Sequence, residues 1–209
     1  MSVTNGYTTV DKLKAQLNVT DSRWDTALEL AVNAASRQID AHTGWVQHGF
    51  WQDGTVVART YEPDETKCLY IPEGISTTTG LIVKVDYGDD GTYESTLTIS
   101  TDFTLEPVNA AADYPVRPYT EIEIRNTSAA YFPLEYYSVQ VTAKFGWPAV
   151  PAAVELACLI QAAQLYKAGD ATFGVLQLTG LDGSAVRIGG SLHPQAEALL
   201  VDYSKPRVG

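Results

Sequence analysis

The stretch Phe145-Gly146-Trp147-Pro148-Ala149-Val150-Pro151 constrains the fold of this chain more than any other. Before it, Tyr137, Val139, Val141, Ala143 and Phe145 alternate with Ser138, Gln140, Thr142 and Lys144, the period of two that marks a half-buried strand. After it, Val154, Leu156, Ala157, Cys158, Leu159, Ile160, Ala162, Ala163, Leu165 and Tyr166 make a run that is apolar almost all round a helix, expected from Pro151 to about Ala168 with Gly169 as its stop. Pro148 disfavours helix at Trp147, and Pro151 suits a first helical turn, where its missing N–H needs no partner. A strand must end and a helix begin inside these seven residues.

The same division holds along the whole chain. Thr8 to Leu17 reads as a short capped helix with Val10, Leu13 and Leu17 on one face. A second helix is expected from Asp21 or Ser22 to His42, with Trp24, Leu28, Ala31, Ala35 and Ile39 as its apolar stripe, Asp25, Glu29, Arg37 and Asp40 on its polar side, and Gly44 as its stop. From Val46 to Phe145 come seven β-like runs: Thr55 to Tyr61, Lys67 to Ile71, Leu81 to Tyr87, Tyr93 to Ile99, Phe103 to Leu105, Thr120 to Arg125 and Tyr137 to Phe145. Gly88-Asp89-Asp90-Gly91 reads as the turn of a hairpin between the third and fourth runs. Asn109 to Pro118 reads as a loop, Leu181 to Ser184 as a second hairpin turn, and Pro194 to Val201 as a last short helix.

The fold class that follows is α+β. A helical domain built from residues 1–45 and 147–201 carries an inserted antiparallel β-sandwich or barrel, residues 46–146, and ends in an extended tail, 202–209. Trp45, Trp147, Pro148 and Pro151 mark the interdomain junction. A chain of 209 residues with 45% hydrophobic content buries roughly 70–75% of its unfolded surface, enough for a sizeable core without staples. Cys68 and Cys158 fit no disulfide or metal-ligand spacing and read as small buried hydrophobes in a reducing compartment. No apolar run reaches the roughly 20 residues that span a bilayer, and the first residues lack a signal-peptide pattern, so a cytoplasmically made protein without a membrane partner is expected. The formal net charge of −11 opposes tight binding to nucleic acid.

The residues that could carry chemistry have simpler readings. Asp86, Asp89, Asp90 and Glu94 surround Gly91 but miss the spacing of an EF-hand and read as an acidic hairpin turn. His42, His48 and His193 lack companions for a metal site and are expected at solvent-facing or cap positions. Glu121 and Glu123 share one face of a strand, a solvated sheet face with nothing to raise either carboxyl. Ser184 lacks a nucleophile elbow, and Ile188-Gly189-Gly190-Ser191 lacks the Lys of a phosphate loop. No catalytic, cofactor or metal constellation is expected. The twelve Tyr and four Trp leave open a ligand- or carbohydrate-binding platform on the β region.

Three segments, in order, carry a family resemblance: Tyr7-Thr8-Thr9-Val10-Asp11-Lys12-Leu13 with Ala34 to Trp45; Val141 to Pro151 with the Ala-rich helix to Tyr166; and His193 to Gly209. Together they resemble the head-to-tail connector, or adaptor, proteins of long-tailed double-stranded DNA bacteriophages. The long β region and Lys167, where an Arg-rich helix end is usual, depart from that pattern. The resemblance implies a non-enzymatic subunit of a virion neck ring, twelvefold, docked on the portal protein, touching neighbouring copies and the next neck or tail-completion protein, with DNA passing through unbound. It implies portal binding by Asp202, Tyr203, Ser204, Lys205, Pro206, Arg207, Val208 and Gly209. The apolar third helix supplies a candidate subunit interface at Leu156, Leu159, Ile160, Ala163 and Tyr166. A stopper or tail-completion protein of the same neck fits the resemblance nearly as well.

Overall fold

A computed structural model describes residues 2–169 and 192–205 and the backbone of residues 170, 175–176 and 186–187. The chain divides into two compact units, residues 1–46 with 150–209, and residues 47–149. N- and C-terminal helices flank an inserted antiparallel β domain of two sheets, an α+β fold.

The β unit holds β1 (Val57–Tyr61), β2 (Cys68–Ile75), β3 (Ile82–Val85), β4 (Ser95–Leu97), β5 (Phe103–Glu106), β6 (Tyr119–Ile124) and β7 (Val139–Ala143). They form a four-stranded sheet in the order β1-β7-β3-β4 and a three-stranded sheet in the order β2-β6-β5, every pairing antiparallel. Alternation decides which side chains point inward. Val139, Val141, Ala143 and Phe145 from one sheet meet Leu69, Ile71, Ile122 and Ile124 from the other, with Phe103 and Phe132 completing the core. The expected hairpin forms, pairing Val83 with Leu97 and Val85 with Ser95, but the strands stop there, so a loop of residues 86–94 replaces the tight Gly88–Gly91 turn.

One strand runs further than its pattern suggests. The apolar alternation of β2 breaks at Pro72, yet the strand continues to Ile75. Pro72 has no N–H for the ladder with β6, so pairing lapses between Tyr70 and Ile75 and the chain bends. Gly74 takes a φ of +76° against Pro118, and beyond the bend Ile75 bridges Phe145 of the other sheet while Ser76 N–H donates to the Lys144 carbonyl at 2.9 Å. The strand thus turns a corner between sheets. Gly146, at φ +92°, donates its N–H to the Gly74 carbonyl at 2.9 Å. A Cβ there would lie 1.9 Å from the Trp51 carbonyl oxygen, so only glycine lets the backbones come this close.

Polar groups follow the same corner. His48, expected at the surface, is buried at 3% exposure: it stacks on Trp51 at 4.6 Å, and its Nε2 lies 2.9 Å from Asp53 Oδ1. Asp53 leads to Arg59 at 3.9 Å, Arg59 donates to Glu73 at 2.7 Å, and the Tyr61 hydroxyl donates to Glu73 at 3.1 Å. Burial, then the Glu73 charge, pushes the Tyr61 phenol far above its ordinary range.

The helical unit contains α1 (Val10–Leu17), α2 (Asp25–Thr43), α3 (Ala152–Asp170) and α4 (Pro194–Leu200), with short 3-10 turns at Ser22–Trp24 and Val201–Tyr203. Thr9 caps α1, Gly44 ends α2 at φ +85°, and His193 Nδ1 accepts the Gln195 N–H at 3.2 Å to cap α4. Leu28, Ala31, Ala35 and Ile39 are buried as the helical spacing requires, but Trp24 stays 38% exposed. Asp40, placed on the polar side by its spacing, is also buried: it accepts from Arg37 Nε at 2.8 Å and from the Tyr7 hydroxyl, fastening the N-terminal arm to α2. α3 runs to Asp170, two residues past the end expected at about Ala168, so Gly169 lies in its last turn. Gln161, buried inside α3, donates to Gln38 Oε1 at 2.8 Å and accepts the His193 N–H at 2.8 Å, so one amide registers α2, α3 and the start of α4. Val175–Leu176 pairs with Val186–Arg187 as two short strands, β8 and β9, while the turn expected at Leu181 to Ser184 lies outside the described residues.

The corner gives a direct test by substitution. Gly91, at φ +81° with open space around it, tolerates Ala at a cost of about 1–2 kcal/mol. Gly146→Ala meets the Trp51 carbonyl as well and is expected to cost at least about 3 kcal/mol, measured as the loss of stability of the β unit in urea titrations followed by far-ultraviolet circular dichroism.

Candidate functional site

The groups with chemical potential are held in structural roles. Asp86, Asp90 and Glu94 bring ligand atoms within 4.8 Å of one another. Both Asp86 oxygens accept backbone N–H groups, from Gly88 at 3.0 Å and Gly91 at 2.8 Å, while Asp90 accepts from Thr92 and Glu94 from Tyr87. These carboxylates fold the hairpin turn. Glu121 is half-buried and Glu123 exposed, and the register sets Cys68 opposite Glu123. Burial, and then the Glu121 charge, raise the Cys68 thiol to about 11; burial raises Cys158 to about 11 as well. Both stay protonated at neutral pH, where a reactive cysteine needs a thiolate.

An apolar groove lies between α2 and α3 in the helical unit. Its volume is about 380 Å³, and Trp24, Ala27, Leu30, Ala31, Ala34, Leu165, Tyr166 and Gly169 line it. Small residues make the recess: Ala27, Ala31 and Ala34 recur at helical spacing on α2 and face Gly169 across the gap, so the larger side chains stand as walls. The Trp24 and Tyr166 rings meet edge to face at 6.5 Å, and the Arg23 guanidinium lies 5.1 Å from the Trp24 ring centre. Leu30 is 49% exposed on the rim.

Of the five residues expected at a subunit interface, only Tyr166 lines this groove. Leu156 is exposed ten residues earlier on α3, about 15 Å away along the helix axis. Leu159 and Ile160 are half-buried and Ala163 is buried. Leu30 and Leu165 line the groove without having been expected at an interface, and Trp24, expected in the packed stripe, lines it too. The available signal was Leu30, an apolar residue off the stripe and flanked by Ala27 and Ala34.

The tail begins as part of the fold. Asp202 and Tyr203 complete a 3-10 turn after α4, the Tyr203 carbonyl accepts the Trp45 indole N–H at 3.0 Å, and the Lys205 N–H donates to the Thr43 carbonyl at 2.7 Å. That carbonyl belongs to the last turn of α2, where backbone acceptors lack helical partners. The Lys205 ammonium lies 5.4 Å from the centre of the Trp45 ring, at the negative end of the helix dipole. Residues 202–205 are therefore clasped to the α2 terminus, with Ser204 exposed between its anchored neighbours, and Pro206, Arg207, Val208 and Gly209 lie outside the described residues.

The junction residues also separate. Trp45 belongs to the helical unit and forms the clasp, whereas Trp147 is buried in the β unit against Phe50, ring centres 5.0 Å apart. Pro148 is half-buried, and buried Pro151 stands just before α3, its carbonyl accepting the Glu155 N–H at 3.0 Å. Trp45→Phe keeps a ring under Lys205 but removes the bond to Tyr203. It is expected to cost about 1 kcal/mol in thermal unfolding and to speed hydrogen exchange at the Lys205 amide.

No protein-family model matches the sequence, and no curated protein matches it. Solved structures do. A chain from the neck of an empty gene transfer agent particle, computed with sixfold symmetry, superposes with a TM-score of 0.53 at 20% identity, covering 95% of this chain and 90% of that one. A chain from the virion of a native gene transfer agent particle gives 0.52 at 19% identity, with the same coverage. The fold of this protein is one found among the chains of such particles.

Proposed function

We propose that this protein is a structural subunit of the neck of a tailed-phage-like particle: an adaptor ring that docks on the portal and links the head to the tail around a channel for DNA. The observation that carries this reading is the match over nearly the full length of a neck chain, helical and β parts together. The three ordered sequence resemblances support it independently. A ring of twelve is compatible with the sixfold symmetry of that neck.

Ring closure needs one patch on each copy to meet a different patch on the next. The α2–α3 groove is the candidate for one side, because its apolar walls stand open to solvent. The portal-binding role falls to Pro206, Arg207, Val208 and Gly209, since residues 202–205 are held by α2. The β unit holds 15 of the 25 acidic residues and 6 of the 14 basic ones, so it carries −9 of the net −11. Beside a channel, such a surface repels the phosphate backbone and lets DNA pass.

Two deletions separate the roles of the tail. Removing residues 206–209 is expected to abolish attachment to portal-bearing, tailless heads without changing thermal stability. Removing 202–209 is expected to lower stability as well, by about 1–2 kcal/mol, because the clasp goes with it. Attachment that survives the shorter deletion would remove the tail from the mechanism. Leu30→Asp is expected to leave a folded monomer that no longer joins rings on those heads, read by electron microscopy of the necks; normal rings would exclude the groove as the subunit contact.

A further inference from the structure

At one end of the sandwich the β3–β4 loop, residues 86–94, meets the loop between β6 and β7, residues 125–138. The Asp86 N–H donates to the Ser138 carbonyl at 2.9 Å, and the Tyr93 hydroxyl donates to the Tyr137 carbonyl at 2.9 Å. Tyr87 packs on Tyr131 with ring centres 5.0 Å apart, and Tyr136 meets Tyr137 at 4.2 Å. Tyr137 holds a φ of +55°, a conformation that a bulky residue adopts only when its surroundings impose it.

These bonds do not bury the loop. Tyr136 is 71% exposed, Leu134 57%, Tyr131 47% and Tyr137 46%. Single exposed apolar residues are ordinary; four within seven residues, held in place by hydrogen bonds, form a patch of the kind that meets a partner. Charge narrows the choice of partner. Exposed Asp89, Asp90, Glu94 and Glu135 stand on the same two loops, and residues 85–116 and 126–143 contain no Lys or Arg. Lys67 reaches the loop only to bind the Ala130 carbonyl at 3.0 Å. An anionic partner would be repelled. Aromatic faces beside carboxylates suit a guanidinium, which stacks on the ring and donates paired hydrogen bonds to the carboxylate, better than they suit an ammonium.

We propose that the Tyr131–Tyr137 loop and the acidic β3–β4 turn together form a docking surface for an arginine-bearing segment of a partner protein. This surface goes beyond the neck reading and stands or falls without it.

The test uses the full chain and three probes at about 0.15 M salt, where weak long-range attraction is screened: a fluorescent peptide of alternating Arg and Gly, the same peptide with Lys for Arg, and neutral maltoheptaose. The Arg peptide is expected to bind at least about fivefold more tightly than the Lys peptide. Leu134→Ala with Tyr136→Ala should weaken the Arg peptide about tenfold and leave the Lys peptide within about twofold. Tyr136→Phe, which keeps the ring, should retain Arg affinity, and Asp89→Asn with Asp90→Asn should weaken both peptides. Should the double alanine variant fail to fold, Tyr136→Ala alone, at the most exposed position, should still cost at least about threefold. Equal affinity for the two peptides, no effect of removing the Tyr136 ring, or no binding of the Arg peptide would overturn the proposal. Binding of maltoheptaose in preference to the peptides would replace it with a carbohydrate site.

Discussion

The approach of Gly146 to the backbone of Trp51 is the constraint on which the rest of the β unit depends. Because no Cβ fits there, the end of β7 settles against the 48–53 loop and also hydrogen-bonds to Gly74. That position lets β2 turn the corner from one sheet to the other and brings Ile75 against Phe145. It also places His48, Asp53, Arg59 and Glu73 close enough to form a chain of polar contacts along the corner. The Arg59 guanidinium lies 4.6 Å from the Phe145 ring centre, so the same strand end satisfies both packing and charge.

The helical unit solves a different problem. Its third helix is apolar nearly all round, and such a helix can slide or rotate without losing much buried area. Gln161 removes that freedom, since its amide has partners on α2 and at the start of α4 in one register only. Asp40 acts similarly for the N-terminal arm, and Lys205 for the C-terminal segment, which ends on an α2 carbonyl. Buried polar groups thus fix the arrangement that apolar burial alone would leave loose.

Exposure separates the two units in a way that bears on assembly. The helical unit presents an apolar groove and carries little net charge, whereas the β unit presents tyrosines among carboxylates and carries most of the acidity. The first surface suits a tight contact between like subunits, and the second a polar, charge-selected contact with a different protein. The ring subunit proposed above would use both kinds, one to close on its own copies and one to join unlike neighbours.

The sequence by itself determined the elements: Thr9 and Gly44 bound helices, alternation marks seven strands, Gly88 to Gly91 marks a hairpin, and the Phe145 to Pro151 stretch marks the change from strand to helix. These are local signals, set by backbone sterics, capping and periodicity, and a linear chain displays them. Only the tertiary structure decided that Pro72 lies inside a strand that changes sheets, that Asp40 and His48 are buried beside partners, and that Gly169 lines a groove against α2. It also decided that Leu30 stands beside Leu165, and that two loops distant in sequence gather their tyrosines at one end. Each of these depends on what lies across from a residue, and that neighbour is supplied by chain far away in sequence.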